Sequence, residues 1–307
     1  MNRRAKDMAE TLETQGTTPP VLAATRPMYW SVRRELWESR SIYVAPLAVA
    51  GLFLLGFLIS LVRLPGKMRA AMALDPLQQH EAIAQPYEFA ALAIMGTTFI
   101  VGVLYCLDAL HGERRDRSIL FWKSLPVSDR TTVLAKASIA IVVIPLLTFV
   151  ITVAMQLVML LLGSVVLLGS GLSVTPLWAE VSPFRMSLVL LYHLLGVHGL
   201  WYAPIFAWLL LVSAWARRAP FLWASLPLLA ICMVEKLAFD TSHFAALLGH
   251  RMSGGAEAVV STARGMPLDS MTQMTPGAFL SSPGLWIGLA VAAAFLAAAV
   301  RLRRYRA

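Results

Sequence analysis

Charge is scarce in this 307-residue chain: 14% of residues are Asp, Glu, Lys or Arg, against about 25% in an average soluble domain. That shortage excludes an ordinary water-soluble globule. Cysteine is nearly absent, with only Cys106 and Cys232, each inside an apolar stretch. A disulfide framework or thiol chemistry is not implied by two small buried hydrophobes. No GxxxxGK[ST] phosphate loop and no HExxH zinc-hydrolase spacing occurs, so energised work must draw on a partner or an ion gradient. The first 27 residues hold no apolar core of signal-peptide length, and read as a polar, disordered cytosolic tail.

What is there is hydrophobic: 58% of residues are apolar and the mean hydropathy is +0.68. Six runs are long enough, or nearly so, to cross about 30 Å of hydrocarbon as helices. They are Ile42–Val62, Phe89–Leu110, Ala137–Leu168, Leu188–Ala214, Pro220–Phe239 and Pro283–Val300. The fold class expected is therefore an all-α integral membrane protein with six transmembrane helices filling residues 42–307. The third run is 32 residues long and carries Pro145. It is too short for two spans and a turn, and predicts one tilted or kinked helix.

The net charge is +9, and its distribution argues for a bilayer rather than for nucleic acid. With the N-terminus inside, residues 1–41, 111–132, 215–219 and 301–307 carry eighteen Lys or Arg. The outside pieces 63–87, 169–187 and 240–282 carry six. The bias follows the positive-inside rule and predicts both termini in the cytosol. Residues 28–41, beginning MYWSVRRELWESR, place Tyr29, Trp30, Leu36 and Trp37 near one side of a helix. That pattern suits an interfacial elbow lying on the inner leaflet.

The stretch LHGERRDRSILFWKSLPVSDR, residues 110–130, follows a charged cluster with Ile119, Leu120, Phe121 and Trp122. Helical propensity runs from Glu113 to Ser124, and Pro126 stops it. Ser128 is then the N-cap of a new helix, with Asp129 in its favourable first turn. Burying a Leu or Phe side chain is worth about 1.5–3 kcal/mol, so the apolar knob requires a home. The headgroup layer and a groove on a cytosolic partner both qualify.

Other intramembrane polar residues are His193 and His198 in the fourth run and Glu235 with Lys236 in the fifth. Ionisable groups at such depth are candidates for a transport path or for coupling between helices. On an α-helix His193 and His198 lie about 140° apart and would not share a ligand. Glu235 and Lys236 are expected near the outer surface. His193, His198 or Glu235 could also serve an intramembrane enzyme. The last outside loop holds His243, His250, Met252, Met266, Met271 and Met274, a set that invites a soft-metal reading such as copper, while methionine is also ordinary apolar filler for short re-entrant or outer helices before the sixth span.

In its order of features the chain resembles the ABC-2-type permeases. The residues that carry the likeness are VRRELWESRSIYVAP before the first span, the Glu-Arg start, LPVSDR and Lys136 of the first cytosolic loop, and WYAPIFAWLLLVSAWARRAPFLWASLP at 201–227. The resemblance implies a transport subunit of a bacterial inner membrane, an exporter without nucleotide chemistry of its own. ATP and Mg would sit on two partner ATPase subunits, and a second permease, copy or paralogue, would complete the complex. The loop would carry a coupling helix, with Glu113, Arg114, Arg115 and Arg117 as a charged rim and Ile119, Phe121 and Trp122 as an apolar anchor. Pro126 would set its angle to the third span. Small residues in spans two (Ala90, Ala91, Ala93, Gly96, Gly102) and five (Ala224, Ala230) suit close packing between permeases. An anchor or sensor that transports nothing is the remaining reading.

Overall fold

The computed structural model describes residues 26–116, 127–253 and 276–305, and every regular element among them is helical. Helix α1 (Arg26–Glu38) leads at once into α2 (Ser41–Ser60), then a 3₁₀ turn and α3 (Leu64–Ala71). Helix α4 (Pro76–Ala109) is followed by the short α5 (His111–Arg115). Helix α6 (Asp129–Ser138), a π-turn (Ile139–Val143) and α7 (Ile144–Gly169) run on as one 41-residue rod. Next come α8 (Thr175–Val181), α9 (Pro183–His193), a second π segment (Leu194–Trp201) and α10 (Ala203–Trp215). The chain closes with α11 (Pro220–Phe239), α12 (His243–Met252), α13 (Pro276–Ser281) and α14 (Pro283–Tyr305).

Five of these rods are long and apolar enough to cross a membrane. A sixth arises when the segments on either side of the 45° bend near Tyr202 count as one span. The protein is thus an all-α, multi-pass membrane protein, and the hydropathy runs match its rods. Two stretches expected as loops are largely helical. Asp75 is extended and Pro76 starts α4 thirteen residues before Phe89, since proline is preorganised for a first helical position. A 2.8 Å contact between His80 Nδ1 and Glu180 Oε2 pins this extension to α8.

The kink expected at Pro145 takes the form of a π-turn. Pro145 has no N–H, so the carbonyl of Ile141 lacks its α-helical donor. The N–H of Ile144 reaches back five residues to the Ile139 carbonyl instead. A parallel event precedes Pro204, where Tyr202 N–H bonds the Val197 carbonyl at 3.0 Å. The two irregular segments meet: a Cβ on Gly199 would lie 3.1 Å from the Ile141 carbonyl oxygen. Glycine is what permits this backbone approach.

Small residues set the other close contacts. Helices α10 and α14 pack through Ala203, Ala207 and Ala292, and again through Ala214 and Ala299. Ala90 and Ala91 are fully buried and Gly102 lies under the Phe206 ring. These residues of span two are therefore occupied within the bundle. Gly96 is exposed, and Ala224 is the buried residue of α11, whose large apolar side chains other than Leu228 are exposed.

Candidate functional site

At the end of the bundle where α1, α5 and the last turns of α14 gather, the sequence builds the start of α6 locally. Ser128 is extended and its Oγ accepts from the Thr131 N–H at 3.1 Å, with Asp129 in the first turn. The N-cap is the one expected of a Ser-Asp pair. Two turns on, the helix turns Lys136 inward.

Helix α5 is held by a reciprocal arrangement with the end of α10. Ser213 Oγ accepts from the N–H groups of Leu110 (3.0 Å) and His111 (2.9 Å). Arg114 Nη2 donates to the Ser213 carbonyl and to that of Ala216, the latter at 3.0 Å. Each helix end thus supplies the partner that the other leaves unsatisfied.

This placement drives Glu113 into the interior. Its Oε2 accepts from Arg303 Nη1 at 2.6 Å, and its Oε1 lies 3.1 Å from Lys136 Nζ and 3.4 Å from Arg34 Nη2. Lys136 Nζ also donates to Glu35 Oε1 at 2.8 Å, and Tyr105 Oη to Glu35 Oε2 at 3.0 Å. Arg303 Nε closes the set on Asp129 Oδ1 at 3.0 Å. The side chains of Glu35, Glu113, Lys136 and Arg303 are only 3–5% exposed. Three cations and three carboxylates join α1, α4, α5, α6 and α14 in one knot. Buried charges are tolerated when paired and hydrogen-bonded in this way.

The expected charged rim is accordingly divided. Glu113 faces the interior and Arg114 caps α10. Arg115 is exposed, paired with Asp116 at 3.1 Å and with Asp108 at 3.8 Å. Arg117, Ile119, Phe121, Trp122 and Pro126 lie outside the described residues, as does the tail to residue 25. Arg34, Glu35, Asp129, Lys136 and Arg303 are the members that sequence reasoning missed as a site. The available signal was the mixture of both signs in segments the charge bias put on one side, with Lys136 bordering an apolar run.

Helix α1 turns Glu35 inward and leaves Tyr29, Trp30 and Trp37 exposed. Arg33 lies against both Trp30 and Trp37. The aromatic face is therefore the outer one, and the acidic residue of the opposite face is what anchors the helix.

The structure corrects the relation of the two histidines. An α-helix separates positions 193 and 198, but the π segment between them widens the turn, and their ring centroids are 5.8 Å apart. His198 also packs edge-on to Tyr202 and Phe99, at 5.3 and 6.2 Å. Its buried Nδ1 has no hydrogen-bond partner among the described residues. Glu235 belongs elsewhere: its carboxylate accepts from His243 N–H (2.6 Å), Phe244 N–H (2.8 Å) and Thr241 Oγ1 (3.0 Å). It caps the N-terminus of α12, and does not meet the histidines. Exposed Lys236 pairs with Asp240 at 2.6 Å. Among the described residues no three His, Cys, Asp or Glu side chains gather as metal ligands.

The far end of α12 is held as well. Trp201 Nε1 donates to the Arg251 carbonyl at 3.1 Å and Tyr202 Oη to that of Met252 at 2.9 Å. Arg251 lies 4.3 Å over the Trp201 ring and donates to the Gly284 carbonyl. Comparison with protein-family models, with curated proteins and with solved structures finds no match to this chain.

Proposed function

We propose that this chain is the membrane-spanning permease subunit of an ABC-2-type ATP-binding cassette transporter, an exporter of a bacterial inner membrane with both termini in the cytosol. Two separate ATPase subunits, holding ATP and Mg, dock on the 110–130 loop, and a second permease completes the complex. The observation that carries this reading is the setting of Glu113. The residue that opens the loop is paired with Arg34, Lys136 and Arg303, so a force applied to the loop reaches the first helix, the third span and the last helix together. Coupling of this kind needs a contiguous physical connection between packed elements. The outward aromatic face of α1 supports its role as an interfacial elbow.

The intramembrane-enzyme reading gains the His193–His198 contact but loses Glu235, whose carboxylate is occupied by the start of α12. Copurification decides between them. Tagged wild-type protein should bring down a Walker-motif ATPase, and Phe121→Asp or Trp122→Asp should abolish the association while the chain still accumulates in the membrane. Normal assembly with both substitutions would sink the docking claim.

A further inference from the structure

On the other side of α5 from the ion knot, the α10–α11 junction forms an open cleft of about 610 Å³. It is lined by His111, Arg114, Arg115, Arg217 and Arg218, together with Ala216 and Ala219. Asp108 and Asp116 are paired with Arg115. Arg217 and Arg218 are exposed and make no ion pair among the described residues. Ala219 turns left-handed at φ 48°, so the chain reverses sharply here and α11 starts at Pro220 with its positive end toward the cleft. A built concavity in which the exposed Arg217 and Arg218 stand beside the engaged Arg114 and Arg115 calls for an anion with several oxygens, and phosphate fits the planar donors of arginine.

A second feature tells what kind of phosphate. Trp215 and Trp223 stack edge to face at 4.8 Å beside the cleft, both half-exposed, as aromatic side chains do at the level of lipid headgroups. From there Leu222, Leu226, Leu229 and Met233 run down one face of α11, all exposed. Their spacing makes a continuous apolar track leading away from the arginines along the span. A charged cleft joined to an apolar track of membrane length matches an amphipathic molecule with the same two parts.

We propose that the cleft at His111, Arg114, Arg115, Arg217 and Arg218 binds the phosphate headgroup of an anionic phospholipid, with the acyl chains lying along α11. The site depends on the protein spanning a membrane and not on an ATPase partner, so it stands or falls separately from the transport reading. Arg217 and Arg218 supply charge to the headgroup, while Arg114 is held by the end of α10 and fixes the cleft wall.

The test uses the full chain in mild detergent, with lipid retention followed by native mass spectrometry against phosphatidylglycerol and phosphatidylcholine. Wild type should retain phosphatidylglycerol preferentially. Arg217→Gln with Arg218→Gln should cut that preference roughly thirtyfold, as expected of two basic groups at a lipid surface, while Arg217→Lys with Arg218→Lys should keep most of it. Arg301→Gln with Arg304→Gln removes two exposed charges elsewhere and should leave the preference intact. Equal retention of the two lipids, an unchanged preference in the Gln pair, or an equal loss in the 301/304 control would overturn the proposal. Displacement of phosphatidylglycerol by millimolar inorganic phosphate would also overturn it, showing a free-phosphate site.

Discussion

Arg303 donates its Nη1 to Glu113 Oε2 at 2.6 Å, joining residues 190 positions apart in the chain. The last helix of the bundle is thereby fastened to the first residues of a loop between its second and third spans. Both side chains are buried, which makes the pair sensitive to the loss of either member. A paired buried charge is weak evidence for stability, but an unpaired one is costly.

Arg303→Met should lower stability by about 3 kcal/mol, within the range for breaking one side of a buried pair. Thermal unfolding of the detergent-solubilised protein measures this. Adding Glu113→Gln should recover part of the loss, because it restores the buried knot to two cations, Arg34 and Lys136, against two carboxylates, Glu35 and Asp129. Equal destabilisation by single and double substitutions would mean that the two residues do not act as a pair.

Gly199→Ala should destabilise by about 1–3 kcal/mol, the scale of overpacking. The new methyl group meets the backbone oxygen of Ile141 at 3.1 Å, and backbone cannot rotate aside. Gly96→Ala is the comparison, since nothing lies within 4 Å of its Cβ position. It should be neutral or slightly stabilising by helix propensity. Similar melting temperatures for the two variants would contradict the close approach.

Glu235→Ala should cost about 1 kcal/mol, as loss of a helix cap does. Amide hydrogen exchange is the sharper readout. The N–H groups of His243 and Phe244 should lose protection while those in the middle of α11 stay unchanged. A variant with unaltered exchange at 243 and 244 would remove Glu235 from its capping role.

Tyr202→Phe deletes the hydrogen bond to the Met252 carbonyl and should cost about 1 kcal/mol. The effect should be local, raising exchange or proteolysis near residue 253 more than elsewhere. Trp201→Phe should act on the same helix end through the Arg251 carbonyl. Protection at the end of α12 that survives both changes would show that other contacts hold it.

The sequence by itself determined the features that depend on neighbours along the chain. Hydropathy located the spanning rods because a helix in hydrocarbon must be apolar over about 20 residues. Ser128 announced the start of α6 because its side chain caps an N–H three residues on. Pro145 announced an irregular helix because it lacks a donor. The tertiary structure alone decided what those irregularities accomplish. Whether the freed carbonyl of Ile141 faces solvent or Gly199 depends on which helix packs against it. A π segment moves His198 beside His193, against the 3.6-residue period of an α-helix, which would hold them apart. The knot around Glu113 was hidden for the same reason: Coulomb attraction acts on distance in space, and only the packed bundle brings Glu35, Lys136 and Arg303 within reach of one another.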